Sequence, residues 1–227
     1  MTVRLFNSFV WQQGSNIISD DGRTAQLDTP EALRVAEFMK SLYDEGLTNK
    51  AHDYAAAEQA FLNGEAGILV NGTWAVDKYN AQVASGADGL QNYRIADMPP
   101  IFGKPAVWAD SHMWVIPTDA NRPPEEREAA IAFLKFLNDN NYEWSRTGHL
   151  SVRQSVLDSP EFKALPHRTE YAGTAEIATT LPQVQNQRAI QDAMLSEITA
   201  IWLAGVEPAD ALASTQARVQ STLRRAR

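Results

Sequence analysis

The stretch Trp108-Ala109-Asp110-Ser111-His112 places a ring, a carboxylate, a hydroxyl and an imidazole within five residues. A second ring, Trp74, follows Asn71-Gly72-Thr73, and Arg153 closes the run Gly148-His149-Leu150-Ser151-Val152-Arg153. Aromatic faces and planar polar groups of this kind hold a ligand by stacking and by directed hydrogen bonds. Each residue also has a plain structural alternative. Trp74 suits a core position at a helix start. Trp108 and His112 suit ordinary loop packing, Asp110 a turn or cap, and Arg153 a surface salt bridge. Gln187 and Arg188 read as the solvated start of a helix. Catalytic patterns are missing from the sequence. It has no Gly-x-Ser-x-Gly elbow, no Cys nucleophile and no phosphate-cradling Gly loop. The four His, at 52, 112, 149 and 167, show no paired metal-ligand spacing. Catalytic and metal residues are therefore assigned to none, and no cofactor is implied. Asn71-Gly72-Thr73 fits a glycosylation sequon, a pattern short enough to arise by chance.

These residues need elements to carry them. Residues 1–27 read as a short apolar segment followed by a small hairpin at Asp21-Gly22. Asp28, Pro30 and Glu31 sign a helix start, with Ala32, Ala36, Met39 and Tyr43 on one face and Gly46 as the stop. A helix over 54–62 ends at Asn63-Gly64, and strands are predicted at 66–70, 93–98 and 112–116. Thr73 can cap a helix from Trp74 to about residue 83. Further helices open at Pro123-Pro124, with Ala130, Phe133, Leu134 and Leu137 on one face, and at Ser159-Pro160. A long helix spans 186–203, and an amphipathic one spans 210–224. Helices alternating with short strands indicate an α/β class.

Bulk properties narrow the partners. The chain has 227 residues, 44% of them hydrophobic, with six Trp, eight Phe and six Tyr, enough for a folded core. The net charge of -8 disfavours nucleic acid and anionic membrane surfaces. Arg224, Arg225 and Arg227 form the one basic cluster and read as a solvated, helix-stabilising tail. With no Cys, disulfides and thiolate metal sites are excluded. The first residues lack a secretory h-region.

Four stretches resemble the maltose-binding-protein branch of bacterial extracellular solute-binding proteins. They are Gln13–Ile18 through Asp21-Gly22 with Leu27–Glu31; Phe61-Leu62-Asn63-Gly64-Glu65-Ala66 through Gly72-Thr73-Trp74; Gly103-Lys104-Pro105 through Trp114–Pro117; and Gly148–Arg153. In the last, Ser151 stands where the family pattern has Pro. The resemblance implies a periplasmic-binding-protein-like fold (type II, maltose-binding-protein-like), mainly the C-terminal lobe with a segment of the N-terminal lobe. Residues 1–105 would be the first part of the C-terminal lobe, 106–164 a segment docking on the N-terminal lobe, and 165–227 the closing helices. Family members carry a further N-terminal portion with a signal sequence, so the chain is expected to be N-terminally truncated, with a periplasmic or cell-surface lipoprotein parent.

The resemblance also implies a function. The chain would be the substrate-binding component of an ABC transporter, taking a mono- or oligosaccharide between two lobes and delivering it to a membrane permease. Sugars present apolar C–H faces and a ring of hydroxyls, which suits the residues above. The implied ligand-binding set is Trp74, Trp108, Ser111, His112 and Arg153, with Trp74 as the stacking platform. Two alternatives stand beside it. One is a glycoside-processing enzyme with a carboxylate pair near Trp74 and Trp108. The other is a scaffold fragment that binds no small ligand. If residues 106–164 lack their docking surface, the Ala130–Leu137 face is left open and a homodimer is possible.

Overall fold

A computed structural model describes residues 1–225. They gather into two compact units, each assembled from separated stretches of chain. One comprises residues 1–58, 98–109 and 176–225, and the other residues 59–97 and 110–175.

The first unit is built around α1 (Thr2–Gln12), where the sequence suggested a short apolar segment. Its aromatic and β-branched residues have weak helix propensity. However, α1 packs against α2 (Pro30–Asp44), α10 (Gln187–Leu203) and β1 (Val107–Trp108), and every residue from Phe6 to Gln12 is buried. Burying a large apolar side chain is worth about 1.5–3 kcal/mol. That exceeds propensity differences of at most about 0.7 kcal/mol per residue. The expected hairpin follows, as an antiparallel bridge between Ile18 and Ala25 turned at Gly22, whose φ is 69°. Helix α2 is capped by Thr29 rather than Asp28: the Thr29 hydroxyl accepts the Ala32 N–H at 3.2 Å.

Two long helices, α10 and α11 (Pro208–Arg225), close this unit as an antiparallel pair. Ile190, Met194, Ile198 and Ile201 on α10 are fully buried, and Leu212, Val219 and Leu223 on α11 join them in the core. Arg224 and Arg225 lie in the last turn of α11, while Arg227 lies outside the described residues. Glutamines on α11 stand in for a neighbouring strand along residues 23–27. Gln216 accepts the Leu27 N–H at 2.7 Å and donates to the Ala25 carbonyl at 2.6 Å. Gln220 accepts the Ala25 N–H at 3.0 Å. A parallel pairing of β1 with β2 (Ala178–Thr179), Trp108 opposite Thr179, was not predicted. Its two strands lie far apart in sequence, and no local pattern signals such a contact.

The chain passes into the second unit within α3 (Tyr54–Leu62). A 3₁₀ turn at Thr73–Ala75 leads into α4 (Val76–Ser85). Then come α5 (Pro124–Asp139), α6 (Asn141–Ser145), α7 (Gln154–Leu157), α8 (Pro160–Lys163) and α9 (Arg168–Tyr171). Leu62, Ala75, Tyr79, Leu90 and Tyr93 form its core cluster. The strands predicted at 66–70, 93–98 and 112–116 are absent: these segments are irregular and join no ladder among the described residues. A strand is a property of a pair, and apolarity alone does not supply the partner. Ile68 is 87% exposed, and Met113, Trp114 and Val115 are each more than two-thirds exposed. The face expected on α5 is also largely uncovered: no residue of that helix is buried, and Phe133 is 57% exposed. No helix among the described residues is long and apolar enough to cross a membrane.

Candidate functional site

Trp74 sits in the 3₁₀ turn ahead of α4 and is 40% exposed. Its indole lies directly on Gly72: a Cβ at that position would fall 2.0 Å from the ring. Gly72 has φ -90° and ψ 163°, which any residue adopts. The glycine is therefore needed for close approach rather than for backbone freedom. Asn71 secures the turn. Its side-chain carbonyl accepts the Gly72 N–H at 2.8 Å, and its amide donates to the Tyr79 hydroxyl at 2.7 Å. An aromatic face is thus held on a flat backbone floor with part of the ring open to solvent.

A second group of rings lies on the stretch that abuts this turn. Gly148 lies so close that a Cβ there would come within 2.2 Å of the Thr73 carbonyl oxygen. Next to it, His149 is tilted over Trp144 with ring centroids 4.7 Å apart, and His112 lies 5.9 Å from His149 and 6.1 Å from Trp144. The Thr147 hydroxyl lies 3.0 Å from His149 Nδ1. Burial, and secondarily the His112 charge, hold the His149 imidazole below its ordinary value, which favours the neutral ring.

A buried cation braces this stretch. Arg168 is 1% exposed. One guanidinium nitrogen donates to the Arg146 carbonyl and to Asp77, both at 2.8 Å, and another donates to the Pro166 carbonyl at 3.2 Å. Its Nε is buried without a partner. Burying such a group costs several kcal/mol unless its charge and donors are met. Here Asp77 and the two carbonyls meet most of them. The Tyr171 hydroxyl donates to the Gly148 carbonyl at 2.6 Å, and burial pushes its pKa up to about 12. Tyr93, also raised by burial, donates its hydroxyl proton to the Asn80 side-chain carbonyl at 2.6 Å, with the Val76 carbonyl at 3.1 Å as a second acceptor sharing it.

The residues singled out from the sequence divide between the two units. Trp74, Ser111, His112 and Arg153 belong to the second unit, and Trp108 to the first. Trp108 stacks on Trp11 at 6.0 Å, its backbone N–H donates to Ser8 at 2.9 Å, and its indole N–H is buried without a partner. Ser111 and His112 lie in the exposed segment before α5. Arg153 precedes α7 and reaches the end of α5, donating to the Asn138 carbonyl at 3.0 Å and to Asp139 at 3.2 Å. Gln187 donates to the Pro182 carbonyl and Arg188 pairs with Asp192. Trp144, His149, Arg168 and Tyr171 were not singled out from the sequence. Gly148, with φ 108°, was the available signal that the loop was specialised. A depression of about 360 Å³ lies in the first unit beside Asp20, Asp21 and Pro182, but no aromatic residue lines it. No group of three or more potential metal ligands occurs among the described residues.

Residues 4–170 match the family model for bacterial extracellular solute-binding proteins. The chain belongs to that family. Its fold is that of maltose-binding-protein-type sugar-binding proteins, as three solved structures illustrate. The cyclic α-maltosyl-1,6-maltose binding protein of Arthrobacter globiformis shares 23% identity over 98% of this chain, with TM-score 0.74. Maltose-bound MalE3 of T. maritima shares 22% over 97%, with TM-score 0.76. A solute-binding protein from Agrobacterium radiobacter K84, in complex with ribitol, shares 22% over 97%, with TM-score 0.72. The chain spans 56%, 57% and 56% of those proteins respectively. No curated protein matches it. The family is one of extracellular solute-binding proteins rather than enzymes.

Proposed function

We propose that this chain is the sugar-contacting part of an ABC-importer binding protein, and that Trp74 is its stacking platform. The observation that carries the reading is the indole held on the Gly72 backbone with 40% of its surface open, within a chain of this family. A stacked ring meets the C–H face of a pyranose or polyol, and its rigidity keeps the entropic cost of binding low. His112, Ser111 and Arg153 are proposed as polar partners of the ligand, and Trp108 as a further aromatic one. Residues 1–105 and 165–227 are proposed to belong to one lobe, and 106–164 to dock on the other. The partner beyond the sugar is a membrane permease, and the parent protein is proposed to be periplasmic or anchored at the cell surface.

Support comes from the neighbours' ligands, maltose and ribitol among them, a disaccharide and a sugar alcohol whose C–H surfaces an indole face accommodates. Titration calorimetry against maltose, tagatose and ribitol tests the reading. Trp74→Ala is expected to weaken the best-bound sugar by about 1–3 kcal/mol, the scale of one lost aromatic contact. Unchanged affinity together with a large drop in thermal stability would place Trp74 in a purely structural role and overturn the proposal.

A further inference from the structure

We infer that Arg168 is a positioning residue for the candidate site, resting on the reading above: it holds the loop 146–149, with Trp144 and His149 beside it, against the turn that carries Trp74. Three parts of the chain meet at this one guanidinium. Asp77 is the second residue of α4, directly after the Trp74 turn. The Arg146 carbonyl ends α6, which carries Trp144. Arg168 itself opens α9. The bonds to Asp77 and to the Arg146 carbonyl come from the same nitrogen, both at 2.8 Å. The distance between α4 and the α6 end is therefore fixed by one planar group. Tyr171, one turn along α9, fastens the next carbonyl but one at Gly148. Gly148 then sits with no room for a side chain against Thr73, the residue before Trp74.

The chemistry of the brace favours positioning over charge recognition. The guanidinium is 1% exposed and its carboxylate partner is 49% exposed, so Arg168 itself does not reach a ligand. A lysine at this site would supply the charge but not the planar fork, and one ammonium cannot reproduce these three bonds in the same directions. Loosening the loop would shift two rings, Trp144 and His149, relative to the indole of Trp74. A ligand in contact with both groups would lose affinity although no contacting side chain had changed.

The test uses Arg168→Lys, with Asp77→Asn as a second variant that keeps the shape of the partner and removes its charge, and unfolding curves report whether each variant still folds. Histidine titration by NMR, amide exchange and calorimetry with maltose as the probe are read together, with Trp74→Ala as control. Both variants are expected to raise the His149 pKa toward its ordinary value. Exchange at Thr147 and Gly148 should speed up about tenfold, the factor for losing one local hydrogen bond, while α10 and α11 stay unchanged. Maltose affinity should fall at least tenfold. Unchanged His149 titration and loop exchange would overturn the inference, as would equal acceleration throughout α3, α4 and α8. A loosened loop with wild-type maltose affinity, where Trp74→Ala weakens binding as expected, would also overturn it while the sugar reading stood. No maltose binding by the wild type would count against the sugar reading instead, and the loop measurements would then decide the bracing role of Arg168 alone.

Discussion

Gly72→Ala separates the indole from its floor with a single methyl group. The added carbon would lie 2.0, 2.1 and 2.3 Å from three atoms of the Trp74 ring. Ordinary carbon contacts are about 3.5–4.0 Å, so the ring must retreat by roughly 1.5 Å or rotate away. The backbone at 72 tolerates alanine, and fewer unfolded conformations return about 0.4–1 kcal/mol. Overpacking costs about 1–3 kcal/mol, toward the lower end here because the half-open ring can move into solvent. The net loss of stability is then about 0–2.5 kcal/mol. If Trp74 is the platform, displacement removes its stacking with the ligand, a loss of about 5- to 150-fold in affinity. Calorimetry on wild type, Gly72→Ala, Trp74→Ala and the double variant closes a cycle. The expected result is that Gly72→Ala has no effect on affinity once Trp74 is gone. The same loss in both backgrounds would show that Gly72 acts other than through the ring, and the reasoning would fail.

Other outcomes follow from the same geometry. Gly148→Ala combines a backbone at φ 108° with a 2.2 Å approach to the Thr73 carbonyl. It should cost about 2–5 kcal/mol by denaturant unfolding, far more than Gly72→Ala. Glu170 accepts the Ile95 N–H at 2.9 Å, and chiefly for that reason its carboxyl is held below the ordinary 4.5, with His167 and Arg94 adding to the effect. Its stabilising contribution is full above about pH 4.5 and is lost as pH falls through the depressed value. Glu170→Gln should therefore flatten the acid limb of the stability curve below pH 4.5. On the proposal that a second copy covers them, the exposed Phe133 and Phe136 of α5 and Trp114 before it would mediate self-association. Light scattering should report a mass above that of the monomer, reduced by Phe133→Lys with Phe136→Lys; a monomer at every concentration would refute the homodimer.

The sequence was most legible where signals are local. Pro30, Glu31 and Gly46 bounded α2 because capping chemistry is decided within a turn. The predicted end of α3 at Asn63-Gly64 holds for the same reason. Helix α1 was missed because its residue types favour extension, and only packing from three other elements decides otherwise. Apolar runs at 66–70 and 112–116 matched the composition of strands, but a ladder needs a second strand that no local pattern announces. The site divides in the same way. Trp74 was found through Gly72 and its neighbours in sequence, whereas Arg168 meets Asp77 across 91 positions and gives no sign of it in the sequence.

The first unit is made of three pieces of chain interrupted by two long excursions, and this governs the order in which it can assemble. The α1–α2 pair is synthesised early, yet the residues that cover Phe6, Val10 and Val35 lie at 190–223. Until those later helices leave the ribosome, the early ones expose their largest apolar side chains. Closure must also bring together ends separated by both excursions, a slow search for contacts so distant in sequence. Residues 59–189 are therefore translated while those side chains remain uncovered. Slower translation of the second unit would lengthen that exposure without altering a single native contact.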